Sequence, residues 1–239
     1  YYTFSRIITL MYTIKAETAG DAWVKTTEYL LKNGNRVGNL YELLNLGIEI
    51  ETPYIDPVFD ARFREVFGDE RIDYASSVTF VAPKPTESSF IDNELVYQQN
   101  DTSAKWNKTY WRRMIKWHDK FNQVEQTIKR LKEHKSAKTI VMAVYDPASD
   151  GRKTMSGMPC LLSVDCKPRD GKLHLTANFR SQAVTKSGYA DYHALVKLNE
   201  FLCKQSGIEY GLTTSFAHSC HLRPDNNELK NSKRLLEIL

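Results

Sequence analysis

Five residues able to do chemistry stand in order along the second half of the chain. Cys160 closes the run Gly157-Met158-Pro159-Cys160, and Arg180-Ser181 follows about twenty residues later. Asp191 stands eleven residues beyond that arginine, and His218 lies near the end of the chain. A thiolate is a strong nucleophile, and a nearby guanidinium such as that of Arg180 would favour it over the thiol. Each residue alone has an ordinary explanation. Cysteine is commonly a buried small hydrophobe, Asp is a favoured helix N-cap, and His218 could be a hydrogen-bonded core histidine. The ordered set is more specific than any member of it.

The elements that must position these residues follow from periodicity and turn chemistry. Strands are expected at 160–166 and 173–179, joined by Pro168-Arg169-Asp170-Gly171, a hairpin signal. Residues 191–205 read as an amphipathic helix with Leu195, Leu198, Phe201 and Leu202 inside and a cap at Gly207, and 210–216 as a last strand. Upstream, 20–33 reads as a helix ended by Asn33-Gly34, with Trp23, Thr27, Leu30 and Leu31 on one face. A strand at 40–51 is stopped by Pro53, 57–80 is partly helical, and 82–106 is the longest expected loop. A helix at 119–133, with Phe121, Val124, Ile128 and Leu131 at helical spacing, precedes a strand at 139–145. Arg112, Arg113 and Lys116 read as a solvated helix face. Helices and strands are interspersed, so the expected class is α+β, or mixed α/β, with a mixed sheet flanked by helices, in a single domain over 1–239.

Composition narrows the function classes. The 239 residues are 41% hydrophobic and 26% charged, as in ordinary globular chains. Apolar runs are short and broken by charge, so no membrane span is expected. Residues 1–14 are apolar but carry Arg6 and lack a small-residue cleavage pattern, which reads as a strand leading into a helix rather than a signal peptide. The net charge of +4 suits anionic small molecules, and no dense basic patch points to nucleic acid. Cys160, Cys166, Cys203 and Cys220 form no Cys-x-x-Cys pair, so neither a metal site nor a disulfide framework is expected. Reduced thiols in a cytoplasmic setting are the default, and Cys166, Cys203 and Cys220 read as structural.

The Pro159-Cys160, Arg180-Ser181, Asp191-Tyr192 and Ala217-His218-Ser219-Cys220-His221 series resembles the thymidylate synthases and their relatives, the cytidylate hydroxymethylases. The resemblance implies that Cys160 attacks carbon 6 of a pyrimidine nucleoside monophosphate. It implies that Arg180 and Ser181 hold the phosphate and that His218 closes the sugar site. Upstream and less sharply, Arg36 in Arg36-Val37-Gly38 matches an early phosphate-binding arginine. Glu70 in Glu70-Arg71-Ile72-Asp73-Tyr74 matches a catalytic carboxylate that moves protons through water, and Tyr110 matches a substrate-binding tyrosine. The implied one-carbon donor is 5,10-methylenetetrahydrofolate. The implied assembly is a homodimer that shares its phosphate site across the interface.

Asp191 bears on which base is read. A side-chain amide is both donor and acceptor and suits uracil, whereas an ionised carboxylate only accepts and suits the amine of cytosine. The thymidylate synthases carry Asn at the matching position and the cytidylate hydroxymethylases carry Asp, so Asp191 catalytically favours cytosine. Hydroxymethylation of dCMP or CMP is therefore the leading expectation. Methylation of dUMP is the alternative, and a non-catalytic nucleotide-binding member of the family is a third. Three positions depart from the family pattern. Ala183 stands where a carboxylate meets the folate, Ala137-Lys138 where an arginine pair reaches the partner's phosphate, and Cys220 where a tyrosine meets the sugar. No closing tail is expected after the last strand.

Overall fold

The computed structural model describes residues 11–68, 110–151, 158–224 and 227–239. Eight strands build one sheet: β1 (Tyr12–Ala16), β2 (Asn35–Val37), β3 (Leu40–Ile50), β4 (Ile140–Ala143), β5 (Leu161–Arg169), β6 (Lys172–Phe179), β7 (Gln182–Ala183) and β8 (Glu209–Leu222). The main order is β1-β3-β8-β6-β5-β4, with β2 added to β3 and β7 to β8. β1 with β3, and β6 and β7 with β8, are parallel; the other pairs are antiparallel. The sheet is thus mixed and flanked by helices, as the interspersed elements imply.

Local chemistry sets the boundaries. The β5–β6 hairpin turns on Asp170 (φ 51°) and Gly171 (φ 78°), the left-handed pair that a two-residue Asp-Gly turn requires. The Ala19–Asn33 helix starts where Thr18 Oγ1 accepts from the Asp21 amide, and it buries Trp23 and Leu30 completely. Trp23 reaches across the core to donate its indole N–H to the Val184 carbonyl at 3.1 Å. The Tyr189–Ser206 helix buries Leu195, Leu198 and Leu202, and it ends at Gly207 in the left-handed region. A π-helical turn, Val184–Gly188, leads into it from β7.

Several sequence expectations are adjusted. The expected 119–133 helix spans Gln123–Glu133, because Asn122 caps the amides of Val124 and Glu125 at 3.1 Å each. Positive φ at His118 and Asp119 turns the chain before that cap, and Phe121 lies exposed rather than in the apolar stripe. The expected 139–145 strand spans only Ile140–Ala143. The last strand continues six residues past 216, because β3 pairs with it as far as Tyr41 opposite Leu222. A closing helix, Asn227–Ile238, follows it and buries Ser232 and Leu235, where no tail was expected. Of the expected 57–80 segment, Pro57–Phe67 is a helix capped by Asp56 and ended at Gly68; residues 69–80 and the 82–106 loop lie outside the described residues.

The solvated face expected at Arg112, Arg113 and Lys116 is corrected at Arg113. Its guanidinium is 2% exposed and donates to Asp150 Oδ2 and Oδ1 at 2.5 and 2.9 Å and to the Val144 carbonyl at 2.7 Å. Gln123 completes the cluster by bonding the carbonyls of Arg113 and Ala143 and accepting from the Ala143 amide. A fully paired ion pair of this kind ties the short Tyr110–Ile115 helix to the start of the segment that leads to β5.

Candidate active site

Cys160 sits at the entrance to β5, where Pro159 and the strand fix its backbone. Its carbonyl accepts from the Arg180 amide at 2.9 Å, which joins the start of β5 to the end of β6. The Arg180 side chain then folds back along the same corner. Nε donates to the Pro159 carbonyl and Nη2 to the Met158 carbonyl, each at 2.9 Å, and Nη2 lies 3.7 Å from Cys160 Sγ. Nη1 takes part in none of these contacts. Cys160 is half-buried, whereas Cys166, Cys203 and Cys220 are buried. Burial pushes the Cys166 and Cys203 thiols up to about 12, and Cys220 higher still, so these three stay protonated and inert.

Tyr110 closes the other side. Its hydroxyl accepts from the Cys160 amide at 3.0 Å. Burial, then the neighbouring Cys160 and Asp191, push this phenol well above its usual range. Tyr110 therefore stands beside Cys160 and keeps its proton, which it can donate while it accepts from the backbone.

Asp191 is 5% exposed and lies in the first turn of the Tyr189–Ser206 helix, past its start, so it is not the helix N-cap. Its Oδ2 accepts from Gln182 Nε2 at 3.4 Å and from Ser187 Oγ at 3.3 Å. Gln182, from β7, is itself 1% exposed, and its Oε1 accepts from Tyr192 and from Ser215 on β8 at 3.4 and 3.2 Å.

The remaining expected site residues divide. Ser181 is half-buried between β6 and β7. Arg36 is exposed on β2, in register with Tyr41 of β3 and, through it, with Leu222 of β8. Lys138 is exposed just before β4, whose Ile140 pairs with Cys166, six residues along β5 from Cys160. At about 3.3 Å per residue that is roughly 20 Å away, so Lys138 and Cys160 do not meet within one chain. Glu70 lies outside the described residues.

His218 is exposed, with its ring edge-on to Phe216 at 5.1 Å, and it follows Ala217, which pairs with Phe179 next to Arg180. His221 is the histidine on the inner side. It is 9% exposed, its Nδ1 is buried without a partner, and it pairs in register with Ala183 of β7 and Glu42 of β3. Burial lowers its proton affinity, and Arg223 and Arg180 add to that while Glu42 opposes it. An odd offset of three puts the two histidines on opposite faces of β8. The series Ala217-His218-Ser219-Cys220-His221 carries both histidines, and the extension of the strand past residue 216 takes in the second.

A thiol beside a guanidinium, a phenol that holds the backbone of the same cysteine, a buried carboxylate and a further cationic edge at Arg36 suit covalent addition to an anionic substrate. The sequence comparisons agree with that arrangement. The thymidylate synthase family model matches residues 51–236, well over half of the chain, and the chain belongs to the thymidylate synthase family. A Methanosarcina barkeri protein named "Putative thymidylate synthase" is 26% identical over 215 residues, covering 87% of this chain and 88% of its own. A Methanothermobacter marburgensis protein of the same name is 24% identical over 238 residues, covering 95% and 99%. No helix among the described residues is long and apolar enough to cross a membrane.

Proposed function

We propose that this chain, as one domain acting in a homodimer in the cytoplasm, adds a one-carbon unit to carbon 5 of a cytidine monophosphate. The observation that carries this reading is the buried Asp191 carboxylate, in the same chain as a Cys160 thiol set against Arg180. Cys160 adds as a thiolate to carbon 6 of the pyrimidine, which makes carbon 5 nucleophilic. Arg180 stabilises the thiolate before attack and, with Ser181 and Arg36, receives the phosphate through charge-assisted bonds. Asp191 accepts from the exocyclic amine and stabilises a proton on N3, as thiol addition to cytosine requires. Tyr110 holds a proton within reach of the reacting edge, and Glu70 moves protons through water. His221, rather than His218, faces the sugar.

The donor in this reading is 5,10-methylenetetrahydrofolate, carried over from the family. When bound, it would supply carbon at the oxidation level of formaldehyde, and completion by water gives the hydroxymethyl product. Ala183 offers a methyl group where the resemblance expects a carboxylate towards the pterin, so no step is routed through that contact. Lys138 is offered to the partner copy's phosphate, which fits its distance from Cys160 within one chain. The names of the relatives favour a second reading, methylation of dUMP.

Tritium release from carbon-5-labelled dCMP, CMP and dUMP, with and without the folate, decides between them. Cys160-dependent release from a cytidylate without dihydrofolate supports hydroxymethylation and identifies the sugar. Release from dUMP with dihydrofolate supports the second reading. Nucleotide binding with no release from any of them, in wild type and Cys160→Ala alike, would sink both and leave a nucleotide-binding protein.

A further inference from the structure

We propose that Trp23 is a positioning residue for base recognition: its indole N–H holds the Val184–Gly188 turn in the wide π register that sets Asp191 against the base. The inference rests on the reading of Asp191 as the base-reading residue. Trp23 is wholly buried and donates to the Val184 carbonyl at 3.1 Å, across 161 residues of chain. Val184 is itself 0% exposed, so its carbonyl is shut off from bulk water, and a buried indole N–H needs an acceptor in turn. The rings of Phe63, Phe59 and Phe67 lie 5.7, 6.0 and 6.0 Å from that of Trp23 and keep the indole from swinging away. The indole also backs the far end of the turn, where a Cβ at Gly188 would stand 3.7 Å from Trp23 Cδ1.

The turn lies between the Arg180-Ser181 pair and Asp191. β7 fixes its entry, with Gln182 and Ala183 in register with Cys220 and His221 of β8. Its exit is the Tyr189–Ser206 helix, locked in the core by Leu195, Leu198 and Leu202. A π turn closes on one residue more than an α turn, and π turns recur at functional sites. Relaxation to the α pattern would shift the phase by one residue, about 100° of helix rotation. With both ends held, that shift would fall on the first helical turn, where Asp191 lies. The turn also touches the carboxylate directly: Ser187 Oγ is 3.3 Å from Asp191 Oδ2 and 3.4 Å from the Ala183 carbonyl. Trp23 thus acts through the backbone at Val184 to aim Asp191. The phosphate end is held elsewhere, since Arg180 is tied to the carbonyls of Met158 and Pro159.

The test uses the full chain with Trp23→Phe, which keeps an aromatic ring and loses the donor. A second form carries 3-benzothienylalanine at position 23, placed by nonsense suppression, in which sulfur replaces the N–H and the shape is kept. Asp191→Asn is the reference for base reading. Each form is measured for hydrogen exchange of the 184–188 amides and for equilibrium binding of dCMP and dUMP. Binding of ribose 5-phosphate and 2-deoxyribose 5-phosphate, which carry no base, reads the phosphate end alone. Both altered forms are expected to exchange faster across 184–188 and to lose about tenfold in the dCMP-over-dUMP affinity ratio. Sugar phosphate binding is expected to stay at the wild-type value. A folded isostere form with the wild-type ratio, or with wild-type exchange at 184–188, overturns the inference. An equal loss for all the ligands also overturns it, because general loosening would weaken the phosphate end as much as the base end. If Asp191→Asn leaves the wild-type ratio unchanged, the base reading has failed and the inference falls with it.

Discussion

The Arg180 guanidinium lies 3.7 Å from the Cys160 sulfur and holds the carbonyls of Met158 and Pro159. One cation both fixes the Pro-Cys corner and favours a thiolate at it. Arg180→Gln should therefore slow iodoacetamide alkylation of Cys160 by about tenfold near pH 7 and move the pH midpoint of that rate upward. Arg180→Lys should recover part of the rate, because it keeps the charge but not the planar fork. A Gln variant with the wild-type rate profile would show that the guanidinium acts only on the backbone.

The three other thiols give an internal control. Burial holds Cys166 and Cys203 at about 12 and Cys220 above that. At pH 8 the native protein should be labelled at one of its four cysteines, and at all four after denaturation. Mass mapping of the label checks this, with Cys160 as the expected native adduct.

His193 predicts an acid limb in stability. Burial lowers it from 6.5 to about 4, reinforced by Lys197 and Arg64 and opposed by Asp60. The folded state disfavours the proton that the unfolded chain accepts. Its contribution is fully present above pH 6.5 and is lost as the pH falls through about 4. Urea midpoints between pH 4 and 7 should fall more steeply in wild type than in His193→Gln. Parallel profiles would remove His193 from the account.

Breaking the buried Arg113–Asp150 pair should cost far more than losing a surface pair. Asp150→Ala strands a guanidinium that is 2% exposed, an effect of about 3–5 kcal/mol in urea unfolding. The double change Arg113→Met, Asp150→Leu should be milder than the single one. A loss below about 1 kcal/mol in Asp150→Ala would mean that water reaches the pair.

What the sequence made legible was mostly local. Asp170-Gly171 specifies its turn and Gly207 its cap within a few residues, and the Cys160, Arg180 and Asp191 spacings belong to the strand, hairpin and helix that carry them. What it hid depended on partners far along the chain. Arg113 looks like a surface cation until Asp150, 37 residues away, is placed beside it. That His221 lies within β8 needs the length of that strand, which β3 sets by pairing with it across the sheet. The closing helix buries only Ser232 and Leu235 and carries a thin periodic signal. Gln182 has no motif at all, because its partners come from β8 and from the helix after it.

The sheet order also fixes when the site can exist. β8, made of residues 209–222, lies between β3 and β6, and among the described strands it alone joins the β1–β3 side to the β4–β6 side. As the chain leaves the ribosome, two separate ribbons precede the strand that fuses them. A prematurely released chain would therefore leave β6, the strand that ends at Arg180, as an unfinished edge next to Cys160, and would be prey to adventitious oxidation and aggregation. Late closure makes a chain that already includes β8 the first species in which that sulfur has its proper surroundings.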